Sequence, residues 1–240
     1  GASKVHRWLI ENPKPIPHEG GTPSHYDPWG WVEATSWQDW GEVAAWAEKQ
    51  YVIPTDLPAE LLEESQRLAS LDGDEARILG ALRFAQDEIR YLGIFDGVHS
   101  HKPYPIETIV KRRFGDCKDK TLLLVSMLRH LGFEAWPALV HTDYGKAIGE
   151  WSASPHAFNH LVTVVKHGSQ LHWLDPTASY QRGPLETLFF PDYGKSLVLR
   201  GSPDGNTILT KVTPQGYDTV GTMVTETFRL PDYLGPATLE

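Results

Sequence analysis

Cysteine occurs once in these 240 residues, at Cys117, and methionine only twice. A lone cysteine excludes an internal disulfide and any zinc site built from several thiolates. No apolar run approaches the ~20 residues that a membrane-spanning helix requires. Positive charge is scarce as well: 22 Lys and Arg stand against 31 Asp and Glu, a formal net charge of -9. Phosphate binding needs a basic face, so this balance argues against a nucleic-acid partner. The one basic clump, Lys111, Arg112 and Arg113, reads as the polar end of a short helix. A glycine-rich phosphate loop is also missing, and no cofactor is implied. There is no secretory signal; the chain opens Gly1, Ala2, Ser3 without an initiator methionine, which leaves room for a leader removed from its front.

Tryptophan, by contrast, is abundant: there are nine, with Trp29, Trp31, Trp37, Trp40 and Trp46 gathered early. Residues 1–35 are rich in Pro, Gly and His and read as an irregular lead-in or the end of a preceding domain. Ser36 opens a capping-box-like SWQD, and Trp37, Trp40, Ala44, Ala47 and Tyr51 follow at helical spacing. Pro54 breaks that helix, and Pro58 starts another with Leu61, Leu62, Leu68 and Leu71 inward. Ile78, Leu82, Ala85, Ile89 and Leu92 trace a longer helix stopped by Gly93, and residues 106–113 form a short one. Beyond residue 133 the period changes. Residues 134–141, 160–167 and 170–175 read as strands, and 196–199, 207–212 and 220–230 as further extended pieces. Helices first and strands after imply an α+β fold, not a wound parallel sheet. A core over residues 36–200 is then followed by an extended segment, 201–240, that begins a further β unit.

Residues 112–133, RRFGDCKDKTLLLVSMLRHLGF, organise the rest. Gly115 lets the chain bend and Asp116 caps the helix that follows. The run TLLLVSML is apolar on nearly every face, so this helix is expected to be buried. Gly132 ends it and Phe133 supplies the apolar contact that accompanies such a stop. Cys117 therefore sits at the N-terminus of a buried helix, where unpaired N–H groups and the helix dipole favour a thiolate. Most lone cysteines are small core hydrophobes. This one stands among Asp116, Lys118, Asp119 and Lys120, company that suits a nucleophile better.

A thiolate nucleophile needs an imidazole beside it, and the imidazole needs a third group to fix its tautomer. Eleven histidines compete for the role. His160 opens the strand HLVTVV, and Asp175 ends the strand QLHWLD just before Pro176. In a hairpin the start of one strand lies opposite the end of the next, so these two are expected side by side. His172 points to the opposite face from Trp173 and Asp175. Singly, His160 reads as a strand cap and Asp175 as a turn residue; with Cys117 they read as a triad. A metal site is the competing chemistry, since His99 and His101 alternate and His156 precedes His160 by four. That spacing suits zinc on a helix, which Pro155 and the following strand oppose.

FGDCKDKTLLLVSMLRHLGF, FNHLVTVV and HWLDPTASY together resemble the bacterial transglutaminase-like superfamily. The resemblance is to the members in which this core follows an N-terminal β domain, and it covers residues 36–199. It implies a papain-like core in which N-terminal helices, the Cys-bearing helix among them, pack on an antiparallel sheet. It also implies that Cys117 is the nucleophile, His160 the base and then acid, and Asp175 the group that orients the imidazole. An oxyanion donor upstream of the cysteine is implied too. The Cys117 N–H is one donor, and Tyr91 and Gln86 are side chains to weigh for the second, although each suits packing or the surface as well. No metal is implied. A bacterial periplasmic or envelope setting fits the resemblance.

The expected chemistry is acyl transfer on an amide of a peptide or protein through a thioester. Water as acceptor makes a peptidase or amidase, and an amine makes a transglutaminase. The polar loop over residues 143–159 tilts toward water. The alternative is a non-catalytic peptide-binding module on the same scaffold.

Overall fold

Asp39, not Ser36, starts the first helix in this computed structural model, which describes residues 5–16, 20–93, 96–201, 208–217, 224–229 and 238–239. The Asp39 carboxylate accepts the Glu42 N–H at 2.9 Å, and the Glu42 carboxylate accepts the Gln38 N–H at 2.8 Å. Helix α1 (Trp40–Gln50) buries Val43, Ala44 and Ala47. Helix α2 (Ala59–Ala69) begins behind Pro58 and turns Leu61 and Leu68 fully inward. Leu62, expected inside, is exposed, because one residue along a helix rotates the side chain away from that face. Helix α3 (Asp74–Arg83) crosses α2 at Gly80, where a Cβ would lie 2.4 Å from Leu68 Cδ2.

The expected continuation of α3 to Leu92 does not occur. The helix relaxes into a π-turn over Phe84–Glu88, and Ile89 is extended at φ -111 and ψ 105. Four tertiary bonds displace the helical pattern. The Lys120 ammonium donates to the carbonyls of Gln86 and Ile89, and Arg90 and Leu92 donate backbone N–H groups to Arg113 and Gly115. Strand β1 (Arg90–Tyr91) thereby runs parallel to β2 (Phe114–Gly115), which follows helix α4 (Ile106–Arg112).

Helix α5 (Cys117–His130) is buried from Cys117 to Leu128. It packs on one face of an antiparallel sheet built from β3 (Ala135–Val140), β4 (His160–His167), β5 (Gln170–Leu174), β6 (Lys195–Val198) and β7 (Thr210–Lys211), in the order β5-β4-β3-β6-β7. Leu123, Leu124 and Met127 join Ala135, Val165 and Leu174 in the core between helices and sheet. The opposite face, with Ala138, Val162, Val164 and Trp173, is covered by Phe190 and Val212 from the returning C-terminal stretch. This is an α+β architecture with helices on one side of the sheet. Of the extended pieces expected near the end, Phe228–Arg229 pairs with Thr238–Leu239. The pieces expected over residues 196–199 and 207–212 are β6 and β7, and residues 202–207, 218–223 and 230–237 lie outside the described residues. Among the described residues no helix is long and apolar enough to cross a membrane.

Candidate active site

The motif Gly-Asp-Cys is a helix start with no spare room. Asp116 is the N-cap, and its carboxylate and that of Asp119 exchange bonds with each other's backbone N–H groups as a capping box. Asp119 also accepts the Tyr104 N–H at 2.8 Å and pairs with Arg112. Burial raises the Asp119 carboxyl above its ordinary range, against the pull of those two donors. At Gly115 a Cβ would stand 2.6 Å from the Asp119 Cβ, so only glycine leaves the cap intact. Lys118 pairs with Asp116, both buried. Cys117 follows as the first helical residue, 6% exposed.

His160 is the first residue of β4, opposite Val140 of β3. Its Nε2 lies 2.9 Å from Asp175 Oδ2, which leaves Nδ1 as the ring nitrogen open to the Cys117 side of the cavity. The second Asp175 oxygen accepts the Thr177 N–H at 2.8 Å and the Thr177 hydroxyl at 2.6 Å. Burial alone would lower the imidazole, but the bonds to Asp175 and Cys117 raise it to about 10. Burial likewise opposes the charge on Asp175, yet His160 and Thr177 hold that carboxyl below its usual range. The site favours an imidazolium beside the Asp175 carboxylate.

Cys117 and His160 line a cavity of about 210 Å3 whose walls include Trp46, Tyr51, Leu139 and Phe158. Helix α1 thus covers the thiol, joining Leu139, Leu161 and Leu197 of the sheet around it. The Tyr51 hydroxyl donates to the His101 carbonyl at 2.9 Å. Burial, then the negative charge at Cys117, Asp116 and Asp119, lifts its phenol well above the ordinary value. His101 is drawn down by burial and by His156 and Lys118.

The remaining histidines scatter. His99 stacks on Tyr104 with ring centres 3.5 Å apart, and His172 lies beside His167 at 5.9 Å, far along the hairpin from His160. Among the described residues no cluster of three metal-ligating side chains occurs. Gln86, weighed as an oxyanion donor, is fully occupied as a donor: its amide binds the Asp175 carbonyl at 2.9 Å and Gln181 at 3.0 Å. Tyr91 pairs with Gly115 through its backbone alone. Burial, then the charges at Cys117, Asp116 and Asp175, raises its phenol, which places it within electrostatic reach of the thiol.

Lys120 is the residue that the sequence did not reveal. It is fully buried, and burial lowers its ammonium to about 8 although Asp175 and Asp87 pull the other way. It ties the thiol helix to the π-turn, and Gln86 ties that turn to Asp175. The only signal was the density of charge in Lys118-Asp119-Lys120, ahead of a helix apolar on every side.

No family model and no curated protein matches this sequence. Among solved structures, it resembles a "putative protease" from Parabacteroides distasonis with 15% identity and a TM-score of 0.52, over 75% of this chain and 32% of that one. A "putative cysteine protease" from Cytophaga hutchinsonii is similar at 13% identity and a TM-score of 0.35, over 54% of this chain and 46% of that one. A TGase is similar at 11% identity and a TM-score of 0.37, over 59% and 40%. The chain thus spans about a third of the first of these proteins. The likeness is one of fold, and it is carried by the first of these structures.

Proposed function

We propose that this protein is a cysteine-dependent enzyme of amide bonds, with Cys117 as nucleophile, His160 as base and acid, and Asp175 as the group that orients the imidazole. The observation that carries this reading is the His160–Asp175 bond at 2.9 Å, with the imidazole sharing one cavity with the Cys117 thiol at the start of a buried helix. The Cys117 sulfur attacks the amide carbonyl, and an S–C bond forms as the oxygen takes up negative charge. Backbone N–H groups at the start of α5 stabilise that oxyanion. The C–N bond then breaks, and the His160 imidazolium gives its proton to the departing amine. Water attacks the thioester with His160 taking its proton, and the thiolate leaves.

Hydrolysis is the preferred outcome because the loop over residues 143–159 beside the site is polar, and only Gly145, Ile148, Ala153 and Ala157 of it are buried. Transfer to an amine is the other fate of the same thioester. The deciding experiment is iodoacetamide alkylation at pH 6, where a free thiol, with a pKa of about 8.5, is almost wholly protonated. Rapid alkylation of the intact protein, slowed about 100-fold in His160→Ala, supports the reading. Equal and slow alkylation of both would leave a non-catalytic binding domain. Glutamine peptides offered with and without an added amine then separate transfer from hydrolysis.

A further inference from the structure

A second cleft, of about 630 Å3, lies between the lead-in and the loop that runs from β3 to His160. Its volume falls in the range of about 300–1,000 Å3 typical of ligand sites. Trp29 and Trp31 of the lead-in face it together with Tyr144 and Trp151 of the loop, and the last two rings sit 5.9 Å apart. Trp29 and Trp31 are 54% and 51% exposed, an unusual state for two neighbouring indoles. Three carboxylates, Asp27, Glu33 and Glu150, share the cleft, and among the described residues no Lys or Arg lines it.

The cleft is built before any ligand arrives. The Ser24 hydroxyl donates to the Asp143 carbonyl at 3.0 Å and the Thr35 hydroxyl to the Ala153 carbonyl at 2.8 Å, strapping the lead-in to the loop at two points. The Trp29 N–H fixes Asp27 at 2.9 Å and the Ser152 N–H fixes Glu33 at 2.8 Å. Aromatic faces carry the negative side of a quadrupole, so rings and carboxylates in one cleft attract the same thing, an organic cation. A neutral sugar would also stack on the rings, but it would leave three carboxylates crowded without a counter-charge.

We propose that this cleft binds the side-chain cation of an arginine or lysine in a peptide ligand. The same loop lines both cavities, with Tyr144 and Trp151 in this one and Pro155 and Phe158 in the one at Cys117. A peptide seated at the thiol therefore passes close to the cleft, which would select chains with a basic residue to one side of the attacked amide. That the cation belongs to a peptide rests on the amide-directed reading above; the preference for a cation does not.

The test is direct binding to the Cys117→Ser variant, which removes thiol chemistry from the measurement. Tryptophan fluorescence is titrated with N-acetylarginine amide, N-acetyllysine amide, the neutral isostere N-acetylcitrulline amide, and a neutral disaccharide. Saturable changes with the two cations are expected, weakened about 5-fold or more by Glu150→Gln and by about 0.3 M salt, and lost in Trp151→Phe/Glu150→Gln. The variants must melt with the parent, so that lost binding is not lost fold. Equal response to the citrulline amide, a stronger response to the disaccharide, or no saturation by either cation would each overturn the proposal. Cation binding together with an inert Cys117 in the alkylation test would keep the cleft and discard the enzyme.

Discussion

Replacing Asp175 with Asn tests the electrostatics of the site with a change of one atom. The rise of the His160 imidazole from 6.5 to about 10 amounts to about 5 kcal/mol in favour of the imidazolium, set against a burial that opposes it. A hydrogen bond to a charged group contributes about 1.5–3 kcal/mol, so the loss of the carboxylate is expected to bring His160 down to about 8. Geometry adds a second effect. One Asp175 oxygen already accepts the Thr177 N–H and hydroxyl, so the Asn carbonyl stays there and its NH2 faces His160 Nε2. A neutral imidazole must then accept at Nε2 and carry its hydrogen on Nδ1, where it can no longer take a proton from the thiol. The assay is an NMR titration of the His160 ring, assigned by its loss in His160→Gln. The expected midpoint moves from near 10 to near 8, and amide turnover falls by about 10- to 150-fold. A midpoint unmoved by the substitution, or a parent protein titrating below 7, would refute the argument.

Three further changes probe what holds the site. In Gly115→Ala the new methyl collides with Asp119, which must leave both the capping box and Arg112; the expected cost is about 2–3 kcal/mol in urea unfolding, with slower alkylation of Cys117. In Gly145→Ala the Cβ would stand 1.8 Å from the Tyr193 carbonyl, and the Tyr193 ring lies 6.1 Å from His160. Stability is expected to fall by about 2–4 kcal/mol, read as a lower urea midpoint, with the His160 midpoint displaced. Lys120→Met is read against pH. The folded-state value of about 8 lies below the 10.5 of the free side chain, so between the two the unfolded chain binds the extra proton and stability from this group rises with pH. The stability of the parent minus that of Lys120→Met should therefore climb by up to about 3 kcal/mol between pH 8 and 10.5. A flat difference would mean that Lys120 is not buried as a cation.

The parts that could be read in advance are those written in local chemistry. Asp116, Cys117 and Gly132 are a helix start and stop, and Gly132 does take φ +90. The strand pair from His160 to Leu174 was legible because β-branched and apolar residues crowd there, and hairpin geometry alone put His160 beside Asp175. What failed was decided by distant residues. Ile89 and Leu92 keep a helical period, yet the carbonyls of Gln86 and Ile89 go to Lys120, some 30 positions later in the chain, and not to helical N–H groups. Nothing local marks Lys120 as buried, since lysine is among the residues least often found inside. The same bond that hid the π-turn from view is what joins the thiol helix to the Asp175 strand through Gln86. A buried cation opposed by its own desolvation persists where carbonyls compensate it, and here those carbonyls exist only because the helix breaks. The break in α3 and the placing of Asp175 behind His160 are therefore one structural decision, made by a side chain one turn into the helix that Cys117 begins.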